Sequence, residues 1–96
     1  MISYDLHPDA IYITLSHRPI ARQIEMPDGV IIDVDNVGRA VGIDVYGLST
    51  GWDWKAVVDR FDLHSDARFL QMLAALGGPQ ASETPNLARE PVAALG

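Results

Sequence analysis

The segment GVIIDVDNVGRAVGIDVYG, running from Gly29 to Gly47, carries the strongest structural signal in the chain. Val30, Ile32 and Val34 share one face of an extended segment, and Val41, Ile43 and Val45 share one face of the next. Alternation at period two with β-branched side chains predicts half-buried strands. Between them, Asp35-Asn36-Val37-Gly38 supplies side chains that bond to nearby backbone and a glycine free to take positive φ, so the two strands form a hairpin.

Working outward towards the N-terminus, the same period recurs. Ile11, Ile13 and Leu15 alternate with Ala10, Tyr12 and Thr14, and before them Ile2, Tyr4 and Leu6 alternate in the same way. His7-Pro8-Asp9 between these segments is turn chemistry, because Pro8 fixes φ and Asp9 offers a local acceptor. A further break at Ser16 to Pro19 precedes a weaker pattern, Ile20, Ile24 and Met26 against Ala21, Gln23 and Glu25, which suits an edge strand closed by Pro27-Asp28-Gly29. Residues 1–47 thus predict an antiparallel meander of about five short strands with one apolar face.

A one-sided sheet needs a cover, and the segment from Trp52 to Leu76 has the helical period to supply it. Asp53 is placed to cap a first helix, with Trp52 stapled on Val57 and with Trp54, Val57, Val58 and Phe61 at helical spacing. Ser65 is placed to cap a second helix, followed by the stripe Phe69, Met72, Leu73 and Leu76. Gly77-Gly78-Pro79 ends that helix. The expectation is a single α+β domain over residues 1–76, with two short helices (52–76) packed on one face of the sheet, and a flexible tail over 77–96.

Composition narrows the function classes. The chain has 96 residues, 48% hydrophobic and 21% charged, which fits one small globular domain and not a disordered chain. It has no cysteine, so disulfides, thiolate metal sites and thiol nucleophiles are ruled out. A net charge of -6, with seven basic residues scattered along the chain, opposes binding to phosphate backbones. No run of about 18 apolar residues is present to span a bilayer, and the N-terminus lacks the pattern of a signal peptide, so a cytoplasmic location is expected.

Tyr4-Asp5, the strand from Asp9 to Ser16, the Gly29 to Asp33 strand and the closing Gly38 to Ile43 strand together give an order and spacing that resembles a small prokaryotic family, domain of unknown function 2283 (DUF2283). About half of the chain carries the resemblance, and His7-Pro8 departs from the family's usual Pro-Glu. The resemblance implies an antiparallel β domain without an assigned activity or catalytic residues, and an antitoxin-like or other partner-binding role.

Several constellations carry possible chemistry. Asp33, Asp35, Gly38 and Asp44 approach a calcium-loop spacing, but Val37 stands at a ligand position, Asp44 is short for bidentate closure and the flanks read as strands, so a hairpin turn is the better reading. Asp33 and Asp44 fall on polar strand faces with Tyr12 and Tyr46, the pattern from which an acid/base site of a small-molecule or metal-dependent enzyme would be built. The histidines His7, His17 and His64 sit in turns without metal-ligand spacing, and neither a cofactor nor a resident metal is expected. A helix opening on Ser65-Asp66-Ala67-Arg68 has a single base, a poor recognition helix, so a DNA-binding dimer is the weakest reading.

Trp52 and Trp54 are two residues apart and cannot both face one helical stripe, which leaves them either closing a small core or anchoring a partner. The leading expectation is a non-enzymatic protein that binds protein, as a homodimer or with a small partner, through Trp52, Trp54, Phe69 and Met72.

Overall fold

The computed structural model describes residues 2–77, so the expected tail over 77–96 lies outside the described residues apart from Gly77. Five strands, β1 (Ser3–His7), β2 (Ala10–Thr14), β3 (Arg22–Glu25), β4 (Ile31–Val34) and β5 (Ala40–Tyr46), precede two helices, α1 (Trp54–Phe61) and α2 (Ala67–Gly77). All pairings are antiparallel, and the α+β class with the helices on one sheet face is the one the periodicity predicts.

The order across the sheet is β1-β2-β5-β4-β3, which differs from a simple sequential meander. β3, β4 and β5 are joined by hairpins, and residues 15–21 carry the chain from β2 to the far edge, so that β2 returns beside β5 in a Greek-key arrangement. The physical reason is burial. Ile11 and Ile13 of β2 pair with Val45 and Ile43 of β5, all essentially inaccessible to water, while Arg22, Gln23 and Glu25 of β3 are exposed and suit the edge. Each such buried aliphatic side chain contributes about 1.5–3 kcal/mol relative to exposure.

Alternation places Ile11, Ile13, Ile32, Val34, Ile43 and Val45 under the helices, where they form one cluster with Trp52, Val57, Val58, Leu70 and Leu73. The register slips between Asp33 and Val34, leaving Val41 as an extra residue on β5. Val41 is buried, yet it lies outside the core cluster, and its carbonyl accepts from the amides of Leu15 and Ser16 at 2.9 and 3.3 Å.

The first helix starts as its sequence predicts, with the Asp53 carboxylate accepting from the Ala56 amide at 3.1 Å. It ends on Asp62, held in the left-handed region at φ 55, with the Leu63 amide donating to the Val58 carbonyl at 3.0 Å. The second helix differs from expectation at its start and in its phase. Ser65 lies within a 3-10 turn, His64–Asp66, that leads straight into α2. In α2, Leu70 and Leu73 fill the core, whereas Phe69 is half-buried and Met72 and Leu76 are exposed. The apolar surface of α2 is wider than one core can cover.

Candidate functional site

Three surfaces bring polar or apolar side chains together. On the sheet face opposite the helices, cross-strand neighbours collect the sequence-predicted polar residues. Tyr12 of β2 stands opposite Asp44 of β5, and Asp33 of β4 stands opposite Gly42. The Tyr12 ring passes over Gly42, and its hydroxyl donates to Asp33 Oδ2 at 2.6 Å, while Gln23 Nε2 donates to Asp33 Oδ1 at 2.8 Å. Tyr46 makes a separate, exposed pair, donating to Asp44 Oδ2 at 3.1 Å.

The chemistry available to this cluster follows from those bonds. Asp33 is buried, and each of its oxygens accepts from a neutral donor, the usual condition for keeping a carboxylate inside a fold. Burial, then the hydrogen bond to Asp33 and the charges of Asp33 and Asp44, pushes the Tyr12 phenol up to about 12. The phenol therefore stays protonated at neutral pH and serves as a donor. The hydrogen bond to Asp44, followed by its charge and by burial, raises Tyr46 as well.

A pH dependence follows. The folded-state value of Tyr12 lies above the ordinary 10.0, so its contribution to stability is complete below pH 10 and is lost as pH climbs towards 12. Denaturant melts of the wild-type chain and of Tyr12→Phe should accordingly converge between pH 10 and 12. A stability gap unchanged across that window would show that the Tyr12–Asp33 bond does not carry the difference.

The second surface is a cavity of about 340 Å³ at the β4–β5 turn, lined by Arg18, Ile20, Asp35, Val37 and Arg39 among others. Asp35 organises it. Its Oδ1 accepts from the amides of Val37 and Arg39 at 3.1 and 2.9 Å, and its Oδ2 accepts from Arg18 Nε at 2.7 Å. Burial alone would raise the Asp35 carboxyl, but the bonds from Arg39, Arg18 and Val37, with the charge of Arg18, hold it below the usual carboxylate value. Asp35 thus has its oxygens engaged by turn amides and an arginine, as an Asx-type hairpin turn requires, and among the described residues no group of three or more His, Asp or Glu side chains is placed to hold a metal ion. Sequence reasoning took Asp35 as a turn former and missed Arg18, whose 17-residue separation from Asp35 leaves no local signal.

The third surface is apolar. Tyr4 and Leu6 of β1 are 44% and 54% exposed, and Met72 and Leu76 of α2 are 53% and 44% exposed. The rings of Tyr4 and Phe69 lie 6.5 Å apart and tilted, so the edge strand and the helix meet there. Phe69 and Met72 also line a shallow groove with Arg68, Gln71 and Ala75.

Of the four side chains expected to bind protein, Phe69 and Met72 belong to this strip. Trp52 is a core residue, packed with Val57 and Val58, and its Nε1 is buried without a hydrogen-bond partner. Trp54 is half-buried, with Lys55 Nζ 5.6 Å from its ring centre. Tyr4 and Leu6 alternate like any strand residues in the sequence, and a meander already places β1 at an edge; that both stay exposed on the helix-covered side is visible only once the sheet and helices are packed.

Compared with known proteins, the chain matches the model of the family described as "Protein of unknown function (DUF2283)" over residues 1–49. The matched residues contain all five strands, and α1 and α2 lie beyond them. No curated protein and no solved structure matches the chain. Among the described residues, no helix is long and apolar enough to cross a membrane.

Proposed function

The chain belongs to the DUF2283 family, a family of unknown function, and from that premise we propose that it acts by binding protein, with a second copy of itself as the partner. The observation that supports this reading is the apolar strip of Tyr4, Leu6, Phe69, Met72 and Leu76. Scattered apolar residues are normal on a surface, but a contiguous strip that joins a sheet edge to a helix marks a contact site. Aromatic and methionine side chains are the types enriched where partners dock. The polar face of the sheet offers a weaker basis for function, because the Asp33 oxygens are occupied by Tyr12 and Gln23.

Light scattering of the full chain tests the reading. Wild type should run at twice the mass of one chain, and Met72→Glu, which changes an exposed side chain, should weaken the dimer at least tenfold while leaving the circular dichroism spectrum intact. A wild-type mass of one chain, or a Met72→Glu variant that dimerises as before, rules out the strip as the dimer contact.

A further inference from the structure

We infer that two copies join edge to edge through β1, in the antiparallel register that sets Tyr4 opposite the partner's Tyr4, so that one sheet runs through both copies. The inference rests on the homodimer reading and specifies its geometry. It starts from the two edges of the sheet, β1 and β3. β3 exposes Arg22, Gln23 and Glu25 and stands between Pro19 and Pro27, which is how natural edges are kept from pairing. β1 has no proline or bulge within Ser3–His7, and its apolar residues continue the strip onto α2. Among the described residues, the edge without proline or bulge and the apolar strip coincide.

The hairpin geometry then says which backbone groups are free. β1 and β2 are joined by the two-residue loop Pro8-Asp9, with His7 paired to Ala10. A closing pair of this kind is hydrogen-bonded, so His7, Asp5 and Ser3 point their amides and carbonyls at β2. Leu6, Tyr4 and Ile2 point theirs outward.

Only registers that oppose outward groups to outward groups can form a ladder; pairing Ile2 with the partner's Ile2 or Tyr4 leaves Leu6 without a partner, and three other registers are in reach. Pairing Tyr4 with the partner's Leu6 sets Asp5 against the partner's Asp5, a like-charge pair in a chain whose net charge is already -6. Pairing Leu6 with the partner's Leu6 sets Tyr4 against the partner's Pro8, which has no amide to donate, and leaves one bonded pair. Pairing Tyr4 with the partner's Tyr4 aligns Ile2 with the partner's Leu6 on the helix-covered face. On the other face it aligns Ser3 with the partner's Asp5, a hydroxyl donor facing a carboxylate acceptor. This register has the longest ladder and no opposed charges. It also brings Phe69 of each α2, which lies beside Tyr4, near the twofold axis.

Because the chain has no cysteine, introduced thiols report the register without interference. Ser3 and the partner's Asp5 form a non-hydrogen-bonded pair with Cα atoms about 4.5 Å apart, within disulfide range. Oxidising a mixture of full-length Ser3→Cys and Asp5→Cys chains should give the mixed disulfide dimer as the main product, and Asp5→Cys alone should stay largely uncrosslinked. In the unmodified dimer, the amides of Tyr4 and Leu6 should exchange at least tenfold more slowly than in the Met72→Glu variant. Crosslinking of Asp5→Cys with itself in preference to the mixture overturns the register. A dimer with neither crosslinks nor protection at Tyr4 and Leu6 overturns the edge-to-edge joint and leaves the homodimer reading standing. A monomeric wild type overturns both.

Discussion

Gly42→Ala should destabilise the fold by about 2 kcal/mol, although a strand glycine replaced by alanine at an unhindered site is neutral or stabilising. The difference lies in what passes over Gly42. A Cβ there overlaps the hydroxyl and ring of Tyr12 and stands 3.3 Å from Asp33 Oδ2. The Tyr12 ring is the part able to move, and moving it removes one of the two donors that hold the Asp33 carboxylate, 4% exposed, inside the sheet. A hydrogen bond to a buried charge is worth about 1.5–3 kcal/mol, and for a domain of this size that is a fall in Tm on the order of 10 °C. The second substitution that checks the cause is Tyr12→Ser. In that background Gly42→Ala should cost little, giving a coupling between the two sites of about 1–2 kcal/mol. Independent, additive effects would place the cost of Gly42→Ala elsewhere than in the Tyr12–Asp33 contact.

Asp35→Ala should lower Tm by about 10 °C. One carboxylate accepts from the Val37 and Arg39 amides that shape the β4–β5 turn and from Arg18 Nε in the β2–β3 connection, so its loss loosens two segments of the Greek key at once. Asp35→Asn keeps an acceptor for the turn amides while giving up the ion pair with Arg18, and should lose less. The pH dependence separates the two roles. The folded-state carboxyl titrates below the ordinary 3.8, so the ionised form contributes fully above that value and its contribution is lost as pH falls below it. The advantage of wild type over Asp35→Asn should therefore hold at neutral pH and fade under acid. An advantage that persists at pH 2 would mean that shape, and not the charge, is what Asp35 supplies.

The strands were legible because their information is local. Val30, Ile32 and Val34 share one face, as do Ile43 and Val45, and Asp35 to Gly38 contain the side chains a hairpin turn needs, so pairing of β4 with β5 follows from neighbours in the chain. The Asp53 cap and the stop after α1 are equally local, each depending on hydrogen bonds within one helical turn. The position of β2 was not local. Nothing between Ser16 and Pro19 distinguishes a tight turn from a crossing to the far edge; the preference of Ile11 and Ile13 for the buried neighbours Val45 and Ile43 decides it.

The candidate site divides along the same line. Tyr12, Asp33 and Asp44 were readable as one polar face from their register positions, but the bond from Tyr12 across Gly42 to Asp33 joins residues 21 apart and exists only once β2 lies beside β5. Phe69 and Met72 were recognisable as apolar side chains at helical spacing, yet so were Leu70 and Leu73, and the pattern alone did not say which stripe meets the sheet. By itself, the sequence determined an acidic, cysteine-free α+β chain with five strands and two helices, because period, capping and turn chemistry act over a few residues. The tertiary structure alone decided that β5 lies inside the sheet with β3 at its far edge, and that α2 turns Leu70 and Leu73 inward and Met72 and Leu76 outward. Burial is settled by competition among all the apolar faces for one core, and that competition has no local signature.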